Sequence, residues 1–216
     1  MRPREHFDHE LDALRKQVVD MGRAVSVALE RAISALERGD AELAKAVVAG
    51  DAALNAAKDS IEQQAINLIA TQQPVARDLR RIVAAIAMSY ELERIADYAK
   101  STAKMVIGSP DPNRGPLAAP AELVVLGKTA QANLDRTLAA LANGGADAIK
   151  DIIAQEDEID HEYKQLKRTL VAKLSPPETA DLLFIAHNFE RVSDRALNMA
   201  EKIIFISSGD QVELND

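Results

Sequence analysis

The sequence predicts an all-α protein: two tandem antiparallel three-helix bundles related by a pseudo-twofold, the product of an internal duplication. Three observations lead there. Composition is the first: of 216 residues only 3% are aromatic, Trp is absent, Gly and Pro number 9 and 8, and about one residue in six is Ala. That mix suits helices and starves strands. The second is spacing, with apolar residues recurring at alternating steps of three and four. The third is self-similarity, the second half repeating residue types of the first at a nearly constant offset.

Leu11, Leu14, Val18, Met21, Val25, Ala28, Ala32 and Ala35 form the seam of a long first helix. Arg38-Gly39-Asp40 ends it, because Gly39 can take the left-handed conformation after a helix and Asp40 can cap the next one. A second helix is expected over about Ala41 to Ala70, its stripe including Val47, Leu54, Ile61, Ala65 and Leu68. Pro74 fits the first turn of a third, which runs through Leu79, Ile82, Ile86 and Leu92 to about Ile107. These three make an N-terminal bundle over residues 1–108. The breakers concentrated between Gly108 and Pro116 make 109–115 a linker. The C-terminal bundle, 116–208, then takes a fourth helix (about Leu117 to Asn143), a fifth (about Asp147 to Leu174) and a sixth, from near Pro176-Pro177 to about Ser207. Residues 209–216 are expected to be a flexible tail.

The duplication is read from matching positions. At an offset of 105, Leu29 falls on Leu134, Leu36 on Leu141, Gly39 on Gly144, Lys45 on Lys150, Val47-Val48 on Ile152-Ile153, and Asp51 on Glu156. In the last helix of each half the offset is 97, placing Glu93-Arg94 on Glu190-Arg191 and Asp97 on Asp194. The second half is therefore shorter by eight residues around its last turn.

Several functions are excluded by counting. With no Cys there is no disulfide framework, thiolate metal site or thiol nucleophile. A net charge of −8 argues against nucleic acid and anionic lipid as partners. Neither common nucleotide-binding loop is present, and no apolar run reaches the length of a membrane span or a secretion signal. The expectation is a cytoplasmic protein without direct membrane insertion.

Four positions carry acidic or near-acidic residues one helical turn apart: Asp51/Asn55, Glu93/Asp97, Glu156/Asp160 and Glu190/Asp194. Residues four apart project from one helix face, so two such pairs on neighbouring helices make a square of oxygens. Such a square suits Mg²⁺, Mn²⁺ or iron, and buried carboxylates repel one another unless a cation compensates. The candidate metal ligands are Asp51, Glu93, Asp97, Glu156, Asp160, Glu190 and Asp194, one set per half. Asn55 weakens the first set, with Asp59 a turn further on as a partial substitute. Arg77, Arg80, Arg191 and Arg195 could instead neutralise the acids without metal. Glu158-Ile159-Asp160-His161 supplies one Glu-x-x-His, but a ferritin-like di-iron bundle needs two, so His161 is read as an ordinary hydrogen-bonding residue. No motif supports a phosphorelay role for His187.

The segments Gln72-Gln73-Pro74-Val75-Ala76-Arg77-Asp78-Leu79-Arg80, Leu92-Glu93-Arg94-Ile95-Ala96-Asp97-Tyr98-Ala99 and Phe189-Glu190-Arg191-Val192-Ser193-Asp194-Arg195-Ala196-Leu197-Asn198-Met199-Ala200-Glu201 resemble the PhoU family of bacterial phosphate transport regulators. The resemblance covers nearly the whole chain. It implies a two-bundle fold holding divalent or trivalent metal ions (Fe, Mn, Mg or Zn) and a non-enzymatic, negative regulator of the phosphate-starvation response. It further implies an adaptor between the phosphate ABC transporter's ATPase and a sensor histidine kinase, peripheral at the inner membrane through those partners. A homodimer is also expected. The chain departs from the family pattern at Asn55, where Asp is usual, at Arg195, where His is frequent, and at Ala96 and Ser193, where Gly is common. The competing expectation from the acids alone is a carboxylate-bridged di-metal enzyme, a ferritin-like oxidase or a phosphohydrolase.

Overall fold

The computed structural model describes residues 3–108, 117, 119–143, 145, 148–173 and 176–214. Among these there are six helices and no strand: α1 (Pro3–Arg38), α2 (Ala41–Gln72), α3 (Ala76–Ile107), α4 (Ala121–Asn143), α5 (Ile149–Lys173) and α6 (Pro176–Ser208). The expected linker at 109–115 lies outside the described residues, as do Gly144, Asp147 and Leu174.

Local chemistry explains the turns. Gly39 has φ +63 and Asp40 Oδ1 accepts the Leu43 N–H at 2.9 Å, which stops α1 and caps α2 as the sequence required. The start of α3 differs from expectation. Pro74 lies ahead of the helix, between a left-handed Gln73 (φ 46) and an extended Val75 that serves as N-cap. The chain leaves α2 through that left-handed residue, and the proline, with no N–H to satisfy, fills the reversal before helical geometry begins. Residues 209–214 leave the helix but are tied down, Leu214 N–H donating to Glu201 Oε1 at 2.9 Å.

The seams of α1 and α2 are buried as the three-and-four spacing demands. In α3 the buried apolar set is Ile82, Ala84, Ala85, Met88, Leu92, Ile95, Ala96, Ala99 and Ala103, with Ser89 and Thr102 buried beside them, wider than one stripe because α3 packs on α1, α2 and α6. The expected line is core only in part: Ile82 and Leu92 are fully buried, Ile86 is partly buried and Leu79 is exposed.

Within each half all three helices pack on one another, and the halves join through α1 against α4 and α3 against α6. Among the described residues, α2 and α5 touch only helices of their own half. The junction carries the pseudo-twofold in its packing. A Cβ on Gly22 would run into Leu138, while a Cβ on Gly127 would lie 3.1 Å from Ile33 and 2.9 Å from the Phe189 ring. Gly22 and Gly127 are duplicates of each other at the offset of 105, and so are Ile33 and Leu138. The same Gly-on-aliphatic contact is thus made twice. Ser26 and Gln131, also 105 apart, touch each other directly, Gln131 Nε2 donating to the Ser26 carbonyl at 3.4 Å. A residue meets its own duplicate only at a symmetry axis. On the α3–α6 side, Tyr98 and Arg195, 97 apart, are near enough for the phenol to act on the guanidinium.

Candidate metal centre

In the second half, α5 presents Glu156 and Asp160 one turn apart, and the adjacent α6 presents Glu190 and Asp194. The α6 pair is well covered, its side chains 14% and 13% exposed. Burial pushes the Glu156 carboxyl up to about 7, with Asp194, Asp157, Asp160 and Glu190 adding repulsion. Burial also pushes Asp194 up to about 6; Glu190 and Asp160 raise it further, while Arg191 and Arg195 pull it back. All four predicted residues of this half therefore stand in one another's field.

Basic side chains share the cluster. Arg191 Nε donates to Glu190 Oε2 at 2.9 Å and its terminal nitrogen pairs with Asp194. Lys164 Nζ lies 2.5 Å from Asp160 Oδ2, and His187 Nδ1 lies 3.3 Å from Glu190 Oε2. Tyr163 closes one side: burial and the charge of Glu190 raise its phenol, and its ring sits 6.4 Å from that of His187. His161 stays on the surface, in contact with Gln165 one turn on.

The first half is built differently. Asp51 on α2 is buried, and its Oδ2 accepts both the Lys100 ammonium at 2.5 Å and the Asn55 amide N–H at 3.3 Å. The hydrogen bond to Asp51 raises Lys100 above its ordinary range, and Asp97 and Glu93 add to it. Lys100 thus pairs with Asp51 and lies within the field of Glu93 and Asp97. Asp51 Oδ1 is buried without a partner. Asp59 is 71% exposed and pairs with Lys58 at 2.9 Å, so it does not stand in for Asn55.

Among the described residues, no three His, Cys, Asp or Glu side chains converge on one point as they do around a bound ion. The second half nevertheless brings four carboxylates into one region, two of them, Glu156 and Asp194, held toward the neutral form first by burial and then by their neighbours' charge. Arg191 and Lys164 there act as stand-in cations on side chains 35% and 65% exposed. The first half offers three acids, a neutral amide and a resident lysine. Sequence reasoning named Arg191 as a partner but passed over Lys100 and Lys164. Their spacing, three and four residues after an acid of the cluster, was the available signal.

The chain matches the PhoU domain twice, over residues 18–106 and 123–203. It belongs to the PhoU family. It is 34% identical over 213 residues to the phosphate-specific transport system accessory protein PhoU homolog of Caulobacter vibrioides (strain NA1000 / CB15N), spanning 95% of this chain and 91% of that one. It is 31% identical over 208 residues to the phosphate-specific transport system accessory protein PhoU of Escherichia coli (strain K12), spanning 94% and 86%. Among solved structures, the phosphate transport system regulatory protein PhoU from Streptococcus pneumoniae superposes with a TM-score of 0.87 at 26% identity, covering 96% of this chain and 99% of that one. PhoU from Pseudomonas aeruginosa gives 0.84 at 27%, covering 94% and 100%. Each PhoU match encloses one acid cluster, so the tandem bundles are two PhoU repeats. No helix among the described residues is long and apolar enough to cross a membrane.

Proposed function

We propose that this chain is a non-enzymatic regulator of phosphate uptake and phosphate-starvation signalling. It acts as a negative adaptor between the phosphate ABC transporter's ATPase and a sensor histidine kinase. The observation that carries the reading is the match in sequence and fold, from end to end, to proteins named as accessory or regulatory components of phosphate transport. Metal at Glu156, Asp160, Glu190 and Asp194, such as Fe, Mn, Mg or Zn, would tie α5 to α6 and supply the positive charge that lets four carboxylates coexist. The contribution of these residues is to fix the shape of the bundle shown to partners. Half-exposed apolar side chains on α2 and α3, among them Ile66, Ile69, Leu79 and Val83, are surface that a partner or a second copy in a homodimer would cover.

The test is co-purification of the full chain with the transporter ATPase and the kinase's cytoplasmic portion, together with a starvation reporter in cells lacking their own PhoU. Both partners should be retained and the reporter silenced at high phosphate. Glu190→Gln should weaken retention in step with loss of bound metal. Failure of the intact chain to bind either partner or silence the reporter would refute the assignment.

A further inference from the structure

We propose that Lys100 is a built-in cation that holds the acids of the first PhoU repeat in place of a metal ion, so that the chain takes up metal in its second repeat alone. The count of ions rests on the metal reading of the second repeat; the role of Lys100 does not.

The argument begins with what occupies Asp51. Its Oδ2 already accepts two N–H donors, Lys100 at 2.5 Å and Asn55 at 3.3 Å. Only Oδ1 is left. A divalent ion needs several oxygens; Asp51 has one to give, and Glu93 and Asp97 would have to supply the rest from partly exposed positions. The Asn55 nitrogen, not its oxygen, is turned toward Asp51. An ammonium has three donors and one charge, which meets the charge of the buried acid and leaves Glu93 and Asp97, both partly exposed, within its field. A dication arriving there would face Lys100 across a few ångströms, and repulsion at that range is no small matter outside bulk water.

The second repeat lacks this device at the same register. Counting 97 residues on from Lys100 gives Leu197, which is fully buried in the core, so that position sends no charge toward the acids. Asn55 corresponds to Asp160, a true carboxylate. The cations found there are reached differently. Lys164 comes from the more exposed side of α5 at 65% exposure, and Arg191 has an equivalent in the first repeat, Arg94, which is exposed. Lys100 is more enclosed, at 27%, against an Asp51 side chain at 9%. The repeats therefore differ at positions 55 and 100, and also at Arg191, which pairs with Glu190 and Asp194 where Arg94 is exposed; Lys100 is set apart by its contact with the more deeply buried Asp51.

The experiment counts metal bound to the full chain after titration with Mn²⁺ or Zn²⁺ and gel filtration, with thermal melts alongside. In the unaltered chain, binding should fall away with Glu190→Gln and be untouched by Glu93→Gln. Lys100→Leu should gain at least one ion per chain, and Glu93→Gln should remove the gain. In a Glu190→Gln background, Lys100→Leu should make the melting temperature metal-dependent again. Lys100→Gln, which keeps length and hydrogen bonding without charge, gives the same readout should the leucine variant fail to fold. Metal in the unaltered chain that is lost with Glu93→Gln overturns the proposal, as does a folded Lys100 variant that gains no metal. An unaltered chain that binds none, beside a Lys100 variant that does, would leave Lys100 as proposed and dismiss the second-repeat site instead.

Discussion

In the second repeat four carboxylates from α5 and α6 crowd together with Arg191 and Lys164 at their edges, whereas in the first a single lysine sits among three acids and an amide. The scaffolds around these clusters have not diverged in the same way. Gly22 and Gly127 survive as duplicates because each is pressed against an aliphatic side chain of the other half, and Ile33 and Leu138 are duplicates too. The contrast teaches that a packing contact on a pseudo-twofold is constrained from both sides at once, since altering either member strains the opposite repeat. An acid cluster is constrained only to balance its charge. A resident lysine can do that in one repeat and arginine and lysine side chains in the other, so the clusters can differ where the interface cannot.

The largest effect should come from breaking the symmetric contact. Gly127→Ala places a Cβ 2.9 Å from the fully buried Phe189 ring, which cannot yield, and should cost about 2 kcal/mol despite the better helix propensity of Ala. Gly22→Ala comes closer still to Leu138 Cδ2 and lies 3.2 Å from its Cγ, but a branched aliphatic end can turn where a ring cannot, so the cost should be about 1 kcal/mol. Urea unfolding of both variants checks the order. Equal losses would mean that the two halves of the junction are equally rigid.

A smaller effect separates the acid clusters by pH. Glu156 is raised from 4.5 to about 7 and Asp194 from 3.8 to about 6, so the folded state holds their protons more tightly than the unfolded chain does. The stability this gives is complete below about pH 4 and is lost as pH climbs through 6 to 7. Both groups are partly in contact with water, so after screening the two together amount to about 1–2 kcal/mol. In chelator, Glu156→Gln should match the unaltered chain at pH 4 and melt higher at pH 7.5. With Mn²⁺ present the sign reverses, because the ion displaces the protons and only the unaltered chain keeps the full carboxylate set. A constant difference between the two chains across that range would remove the crowding argument.

Helices, turn at Gly39-Asp40 and duplication were legible in the sequence because they depend on period and on backbone chemistry, both local. The acid pairs of α5 and α6 were found the same way. What escaped depended on neighbours. The core face of α3 is missed at Leu79, which is exposed, because contact with α6 turns its buried surface toward the alanines, and periodicity alone cannot tell which of two lines a third helix will cover. Pro74 lies two residues ahead of the first helical residue and not in the first turn, because the left-handed Gln73 before it leaves no mark in residue type. Gly22 and Gly127 carry no signal in the sequence alone, because their role comes from the helix laid across each. Lys100 was passed over since a lysine after an acid is ordinary on a helix; its meaning comes from Asp51 on a different helix.

The smallest effect is the most pointed about the two repeats. Asn55→Asp gives the first cluster the same number of carboxylates as the second, while Lys100 remains. The change removes the amide donor to Asp51 and puts a like charge one turn away, a repulsion of about 0.2–0.5 kcal/mol on a helix. With chelator present, a slightly lower melting temperature is therefore expected. If the number of acids were what separates the repeats, Mn²⁺ would more than restore it. If the resident ammonium separates them, Mn²⁺ changes little in Asn55→Asp alone and much once Lys100→Leu is added. Melts of the single and double variants in a Glu190→Gln background, with and without Mn²⁺, distinguish the two. The coupling between positions 55 and 100, rather than either single value, measures how far one lysine can take over the work of an ion.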